Sequence, residues 1–138
     1  MIIKLVCKDK KIYIYIYILY MSSYITKFKQ VPLKTRLADS QRLRNKYSDR
    51  CCIIVGKNDK SDIPDIERHK FLVPNHLTVG QFIYIIRSRI ECDSNSALFL
   101  FINGKIPPTS QSLIHIFEAD KEEDGFLYVT YSGENTFG

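Results

Sequence analysis

Apolar and polar positions change their spacing several times along the 138-residue chain, and each change marks an element. Cys51 to Val55 is an unbroken apolar run, the pattern of a strand covered on both faces. Gly56-Lys57-Asn58-Asp59 reads as its end. Arg68 to Val73 predicts a second strand, closed by Pro74. Between Thr78 and Ile90 the period becomes helical: Val79, Phe82, Ile83, Ile86 and Ile90 share one arc, with Ile85 and Arg89 on its flank beside Phe82. Leu98 to Ile102 predicts a central strand, and Asn103-Gly104 is a strong hairpin-turn signal. Pro107-Pro108-Thr109-Ser110 precedes a short helix containing Leu113, Ile114 and Phe117. Asp124-Gly125 turns into a last strand, Phe126 to Tyr131, and a polar tail over 132–138 is expected to stay extended.

Ahead of this body lie two weaker helical patterns, near 24–30 and 33–46, with Pro32 suited to a first-turn position. On a helical wheel Leu33, Leu37, Arg44 and Tyr47 share one side, which predicts the face resting on the body. The order is helix–helix, then strand–strand–helix–strand–helix–strand. This is an α+β arrangement, compatible with a ubiquitin-like β-grasp roll carrying two additional N-terminal helices, although pattern alone does not select that roll. Residues 1–20 stand apart. Ile12 to Met21 offers about ten apolar residues, too few to span a bilayer core, and its Ile-Tyr alternation is low in complexity. The expectation is that Met21 is the functional start, that 1–20 is an upstream extension, and that 21–138 is the domain; intact mass of the native protein checks this.

Charge adds an asymmetry that the net value of +5 conceals. Residues 27–50 carry eight Lys or Arg against Asp39 and Asp49, a balance of +6, whereas 91–138 carry eight acids against Lys105 and Lys121, a balance of −6. A basic field of this kind attracts acidic peptides, anionic lipid heads or nucleic acid without choosing among them, and a solvated helix face explains any single Lys equally well. Cys7, Cys51, Cys52 and Cys92 show no zinc-ligand spacing, and the adjacent Cys51 and Cys52 do not suit mutual pairing, which points to a reduced compartment such as the cytosol. With no phosphate-binding glycine loop and no metal motif, no cofactor is expected.

Several ordered segments carry a family resemblance: Lys46-Tyr47-Ser48-Asp49-Arg50, Lys70-Phe71-Leu72-Val73-Pro74, Leu77-Thr78-Val79-Gly80-Gln81-Phe82, Ile106-Pro107-Pro108-Thr109-Ser110 and the run Glu122 to Ser132, ending at Phe137-Gly138. The chain from about residue 21 onward resembles the autophagy ubiquitin-like modifiers, the GABA-receptor-associated protein and microtubule-associated light chain group. The resemblance implies a protein that is not itself an enzyme. It implies conjugation of the Gly138 carboxylate to phosphatidylethanolamine by activating and conjugating enzymes, and release by a deconjugating cysteine protease. It further implies a cytoplasmic protein that joins the autophagosome or another organelle membrane once lipidated. Family precursors usually extend past this glycine; either synthesis without extra residues or trimming accounts for a chain ending at Gly138.

The resemblance also implies recruitment of partners bearing aromatic-x-x-aliphatic motifs, which add a strand to a sheet edge. Anchors three residues apart point to opposite sides of a strand, so the receiving strand needs a pocket on each side. By resemblance, Asp39, Leu43, Cys52, Lys70, Leu72 and Phe126 make the aromatic pocket. Phe71, Val73, Pro74, Leu77, Phe82, Ile85 and Ile86 make the aliphatic one, with Ile86 first a core residue, and Arg50, Arg68 and Arg89 form an electrostatic rim for acids preceding the motif. The family commonly has Pro where Ser48 and Cys52 stand; Ser48 is expected to loosen the helix-to-strand turn slightly, and Cys52, a softer pocket wall, leaves the aromatic pocket's preference open. Rival readings are a cysteine hydrolase built on Cys51, Cys52 or Cys92 with His69, His76 or His115, a nucleic-acid module on the basic helices, and a ubiquitin-like adaptor that is never conjugated. Buried thiols oppose the first, and the lack of aromatics interleaved with the basic run opposes the second.

Overall fold

The computed structural model describes residues 21–93 and 95–133. Two helices, α1 (Ser23–Phe28) and α2 (Leu33–Lys46), precede β1 (Arg50–Lys57), β2 (Lys70–Pro74), α3 (Val79–Arg89), β3 (Leu98–Phe101), α4 (Leu113–Asp120) and β4 (Leu127–Gly133). The four strands form one sheet in the order β2-β1-β4-β3, with β1 parallel to β4 and both outer pairs antiparallel. A parallel central pair flanked by antiparallel edges, with helices after the second and third strands, is the ubiquitin-like α+β roll, here with two leading helices.

Local chemistry explains the boundaries. Thr78 and Gln81 close a capping box at the start of α3, the kind of cap that contributes ~1 kcal/mol. Asn103 and Gly104 both take left-handed φ (52° and 74°) and join Ile102 to Lys105 through two main-chain bonds of 2.9 and 3.1 Å. Val79, Phe82, Ile86 and Ile90 are buried along α3, which follows the helical arc of the apolar spacing. They meet Ile53, Ile54, Val55, Leu127 and Val129 of the central strands in the core.

Four sequence expectations change. Leu98–Phe101, read as a central strand, is β3 at the edge of the sheet beside β4; its apolar residues are buried by the core beneath the sheet and not by a strand on either side. Gly56-Lys57 continues β1 instead of ending it, and Gly56 is there because a Cβ would lie 2.2 Å from the Ser22 hydroxyl oxygen. The strand therefore runs under the N-terminus of α1, where Ser22 caps the helix. Strand β4 extends through Ser132 and Gly133, both buried, so the polar tail starts after Gly133. The extra length has a partner: the Gly133 amide donates to the Ser61 hydroxyl at 2.9 Å, and β3 pairs with this end of β4. On α2 the buried positions are Ser40 and Leu43, while Leu33 is 38% exposed and Arg44 faces solvent. The helix docks through a polar contact that an apolar wheel does not detect. Residues 1–20, Cys7 and Gly138 lie outside the described residues.

Candidate functional site

Strand β2 is one edge of the sheet, and its alternation sends successive side chains to opposite sides. The Lys70 ammonium donates to Asp39 of α2 at 2.6 Å, and Asp39 also accepts from Arg42 at 2.7 Å. The same ammonium stands over the rings of Phe28 (5.9 Å) and Phe126 (5.7 Å). One residue along, Phe71 points the other way and meets Phe82 of α3 edge-to-face at 5.7 Å. Leu72 returns to the Lys70 side, opposite Cys52, and Val73 is buried with Phe71's side.

Hydrogen-bond phase decides which peptide groups remain available. The Val55 amide donates to the His69 carbonyl at 2.7 Å, which makes the Val55–His69 position a bonded pair of the antiparallel ladder. Bonded and non-bonded pairs alternate, so Phe71 and Val73 spend their peptide groups on β1 whereas Lys70 and Leu72 turn theirs outward. Among the described residues β2 pairs with β1 alone. The Arg50 guanidinium reaches the outward Leu72 carbonyl at 3.5 Å, a weak contact. Pro74 ends the usable edge, lacking an N–H.

The residues of the two anticipated pockets divide by burial. Leu43, Cys52, Val73, Phe82, Ile86 and Phe126 are buried and form the floor beneath the edge. Asp39, Phe71, Leu72, Pro74, Leu77 and Ile85 are half-buried, and Lys70, Arg50, Arg68 and Arg89 are exposed. A cleft of about 260 Å³ opens along β2 between Ile66, Arg68, Phe71, Leu72 and Arg89, with Glu67 on its rim. Reasoning from sequence missed Glu67, and it also missed Phe28. The Phe28 ring packs edge-to-face on Phe126 at 5.6 Å and with it walls the side covered by Lys70. Tyr24, Ile25 and Phe28, spaced as one helical stripe, are the signal that would have found it. A larger cavity, about 590 Å³, lies elsewhere, near Ile63, Cys92, Ala97 and Gly133 where β4 ends.

Electrostatics fit a latch over the aromatic side. Burial pushes the Asp39 carboxyl upward, but its hydrogen bonds to Lys70 and Arg42 outweigh that and hold it below its ordinary value. The thiols behave differently. Burial, then the neighbouring Cys52, raises Cys51 to about 11, and burial raises Cys52 as well. Cys51 also donates to the Asn75 side-chain oxygen at 3.3 Å. Such thiols stay protonated near neutral pH and make poor nucleophiles. His69 is committed too, with Nδ1 2.8 Å from the Val55 carbonyl and its ring stacked on Tyr24.

Comparison with known proteins agrees with this architecture. The family described as "Autophagy protein Atg8 ubiquitin like" matches residues 35–138. Autophagy-related protein 8A of Oryza sativa subsp. indica is 54% identical over 114 residues, covering 82% of this chain and 96% of the relative. Autophagy-related protein 8a of Arabidopsis thaliana is 52% identical over 107 residues, covering 78% and 88%. The crystal structure of Trypanosoma brucei ATG8 superposes with a TM-score of 0.77 at 43% identity, covering 81% of this chain and 97% of that one. A family match over most of the chain and a shared fold at this identity lead to one conclusion: this chain belongs to the Atg8 family of ubiquitin-like autophagy proteins.

Proposed function

We propose that the chain is a modifier joined through the Gly138 carboxylate to the amine of phosphatidylethanolamine, and that it recruits proteins bearing aromatic-x-x-aliphatic motifs along the outer edge of β2. The observation that carries the docking half is the coincidence of outward peptide groups at Lys70 and Leu72 with apolar side chains on both sides of the same strand. A partner strand gains main-chain bonds from the edge. Its aromatic anchor takes the space that the Lys70 ammonium covers, against Phe28 and Phe126, and its aliphatic anchor meets Phe71, Leu77 and Ile85. Arg50, Arg68 and Arg89 attract acids that precede the motif. Lys70 must leave Asp39 for the aromatic ring to enter, and an exposed pair of this kind, worth ~0–1 kcal/mol, yields readily.

The family and the reach of the tail support the conjugation half. Five residues beyond Gly133 extend at most ~18 Å, enough to enter a foreign active site while β4 stays in the sheet. An activating enzyme would adenylate the carboxylate, an enzyme thiol would displace the adenylate, and the lipid amine would displace the thiol to leave an amide. Glycine suits this sequence because it has no Cβ to obstruct a narrow channel or shield the carbonyl. A cysteine protease would reverse it by hydrolysis. The lipidated form belongs on an autophagosome or other organelle membrane and the free form in the cytoplasm. Among the described residues no helix is long and apolar enough to cross a membrane, so membrane residence would rest on the lipid.

Reconstitution with cognate activating and conjugating enzymes and phosphatidylethanolamine liposomes tests the proposal, scored by intact mass. One lipid added to the chain, and none to Gly138→Ala, is the expected result. Unmodified mass under conditions that lipidate a plant relative, or membrane association unchanged in Gly138→Ala, overturns it and favours an unconjugated adaptor.

A further inference from the structure

We infer that Ser48, in the turn between α2 and β1, is a phosphorylation site through which a serine kinase selecting basic substrates weakens docking at the β2 edge. This rests on the docking reading above and adds a regulator to that site. Tyr47 ends α2, its amide donating to the Leu43 carbonyl at 2.8 Å, and the Arg50 amide donates to the Tyr47 carbonyl at 3.1 Å. The second bond closes a four-residue turn with Ser48 and Asp49 at its central positions. Ser48 is exposed, and among the described residues nothing bonds its hydroxyl. A kinase can therefore reach that oxygen without unwinding an element. The exposed Thr35 and Ser88 are placed differently: both lie inside helices, and the Ser88 hydroxyl donates to the Ile85 carbonyl at 2.7 Å. Ser48 also has Lys46 two residues before it and Arg50 two residues after. No other described serine or threonine has a cation at both positions, and kinases select substrates by such charge patterns. A chain with Pro at this position, as is common in the family, has no such site.

The step is a phosphoryl transfer. The Ser48 oxygen bonds to the terminal phosphorus of a nucleoside triphosphate, the bond from that phosphorus to the diphosphate breaks, and the hydroxyl proton passes to a base of the kinase. The local field can hold the product. The Lys46 ammonium and the Arg50 guanidinium stand 5.4 and 5.8 Å from the centre of the Tyr47 ring, so both cations gather beside the turn. Over residues 44–50, Arg44, Lys46 and Arg50 stand against Asp49 alone, a balance of +2 that a phosphate of about −2 cancels. Asp49 and the negative end of α2 oppose the new charge, which leaves the three cations to accommodate it. Arg50 links the turn to the docking edge. It lies opposite Pro74 in the β1–β2 ladder, and its guanidinium reaches the Leu72 carbonyl at only 3.5 Å. A phosphate two residues away, within ~7 Å of backbone, offers it charge-assisted bonds stronger than that contact. The rim thereby loses Arg50 and gains a negative charge at the Pro74 end of β2, while Arg68 and Arg89 keep their places on the cleft. Acids preceding a motif then meet repulsion in place of attraction.

The test treats the full chain and Ser48→Ala with a serine kinase that selects basic substrates and adenosine triphosphate, and maps phosphate by peptide mass. Each protein, treated and untreated, is then titrated with a fluorescent peptide carrying an acid-preceded aromatic-x-x-aliphatic motif. Phosphate on Ser48, with about fivefold weaker binding by the phosphorylated chain that recovers as salt is raised, supports the inference. Untreated Ser48→Ala should bind as the parent does, and kinase treatment should leave its affinity unchanged. Absence of phosphate from Ser48 overturns the site. Phosphate on Ser48 with unchanged peptide affinity, or a loss that salt does not restore, overturns the regulation and leaves the docking reading intact. Binding by none of the proteins, the untreated parent included, overturns the docking reading itself.

Discussion

Helix α2 is tied to the sheet at two places by a carboxylate and a cation 2.6 Å apart, and the two ties differ in burial. At one, Asp124 is fully buried and bonds Arg36, the Tyr128 hydroxyl and the Phe126 amide (2.9 Å), while the Ser40 hydroxyl donates to the Asp124 carbonyl. At the other, Asp39 meets an exposed Lys70 and shares itself with Arg42. The first carboxylate has all its neighbours fixed by the fold, so nothing compensates if one is removed. The second is wetted, and water replaces either partner at small cost. Identical distances therefore describe a buried joint and a solvent-exposed pair; burial and the number of satisfied partners make the difference.

The largest break is expected at the joint. Asp124→Ala removes the carboxylate that both the Arg36 guanidinium and the Tyr128 hydroxyl share and should cost ~3–5 kcal/mol in urea unfolding. Gly125→Ala comes next at ~1–3 kcal/mol, since φ is +85° there and the new Cβ would stand 2.4 Å from the Ser40 hydroxyl oxygen. Lys70→Ala should change stability by under ~1 kcal/mol yet weaken motif-peptide binding severalfold by calorimetry, as should Leu72→Ala through lost contact. Should Lys70→Ala unfold the chain, or Asp124→Ala prove neutral, the distinction between the two ties is wrong.

The smallest effect concerns pH. Folding holds the Asp39 carboxyl below its ordinary value, so its contribution to stability is complete above its unfolded value of ~4 and disappears as pH falls through the lower folded one. The difference in melting temperature between the parent chain and Asp39→Asn should accordingly be flat from pH 8 to about 5 and shrink only in stronger acid.

What the sequence reveals and conceals follows the same division. Apolar spacing predicts α3, β1 and the buried floor beneath the β2 edge because those residues are selected by burial, which repeats with the period of the element. The Lys70-Phe71-Leu72-Val73 run shows its two-sidedness through strand alternation alone. Ser40, Gly56 and Gly125 are different. Their roles depend on a neighbour far along the chain — Asp124 for one, Ser22 for another — and a small residue carries no periodic mark of what stands against it. The apolar wheel of α2 passed over Ser40, which lies on the same side as Leu37 and Tyr47, for that reason. Phe28 escaped notice because α1 is only six residues long, too short for its stripe to repeat.

Amide hydrogen exchange on the chain from Met21, with and without a motif peptide, tests strand addition at β2 most directly. The Phe71 and Val73 amides, already bonded to β1, should be slow throughout, and those of Lys70 and Leu72 should change from fast to slow when peptide binds. Peptide binding that leaves Lys70 and Leu72 exchanging at their free rates would contradict the account.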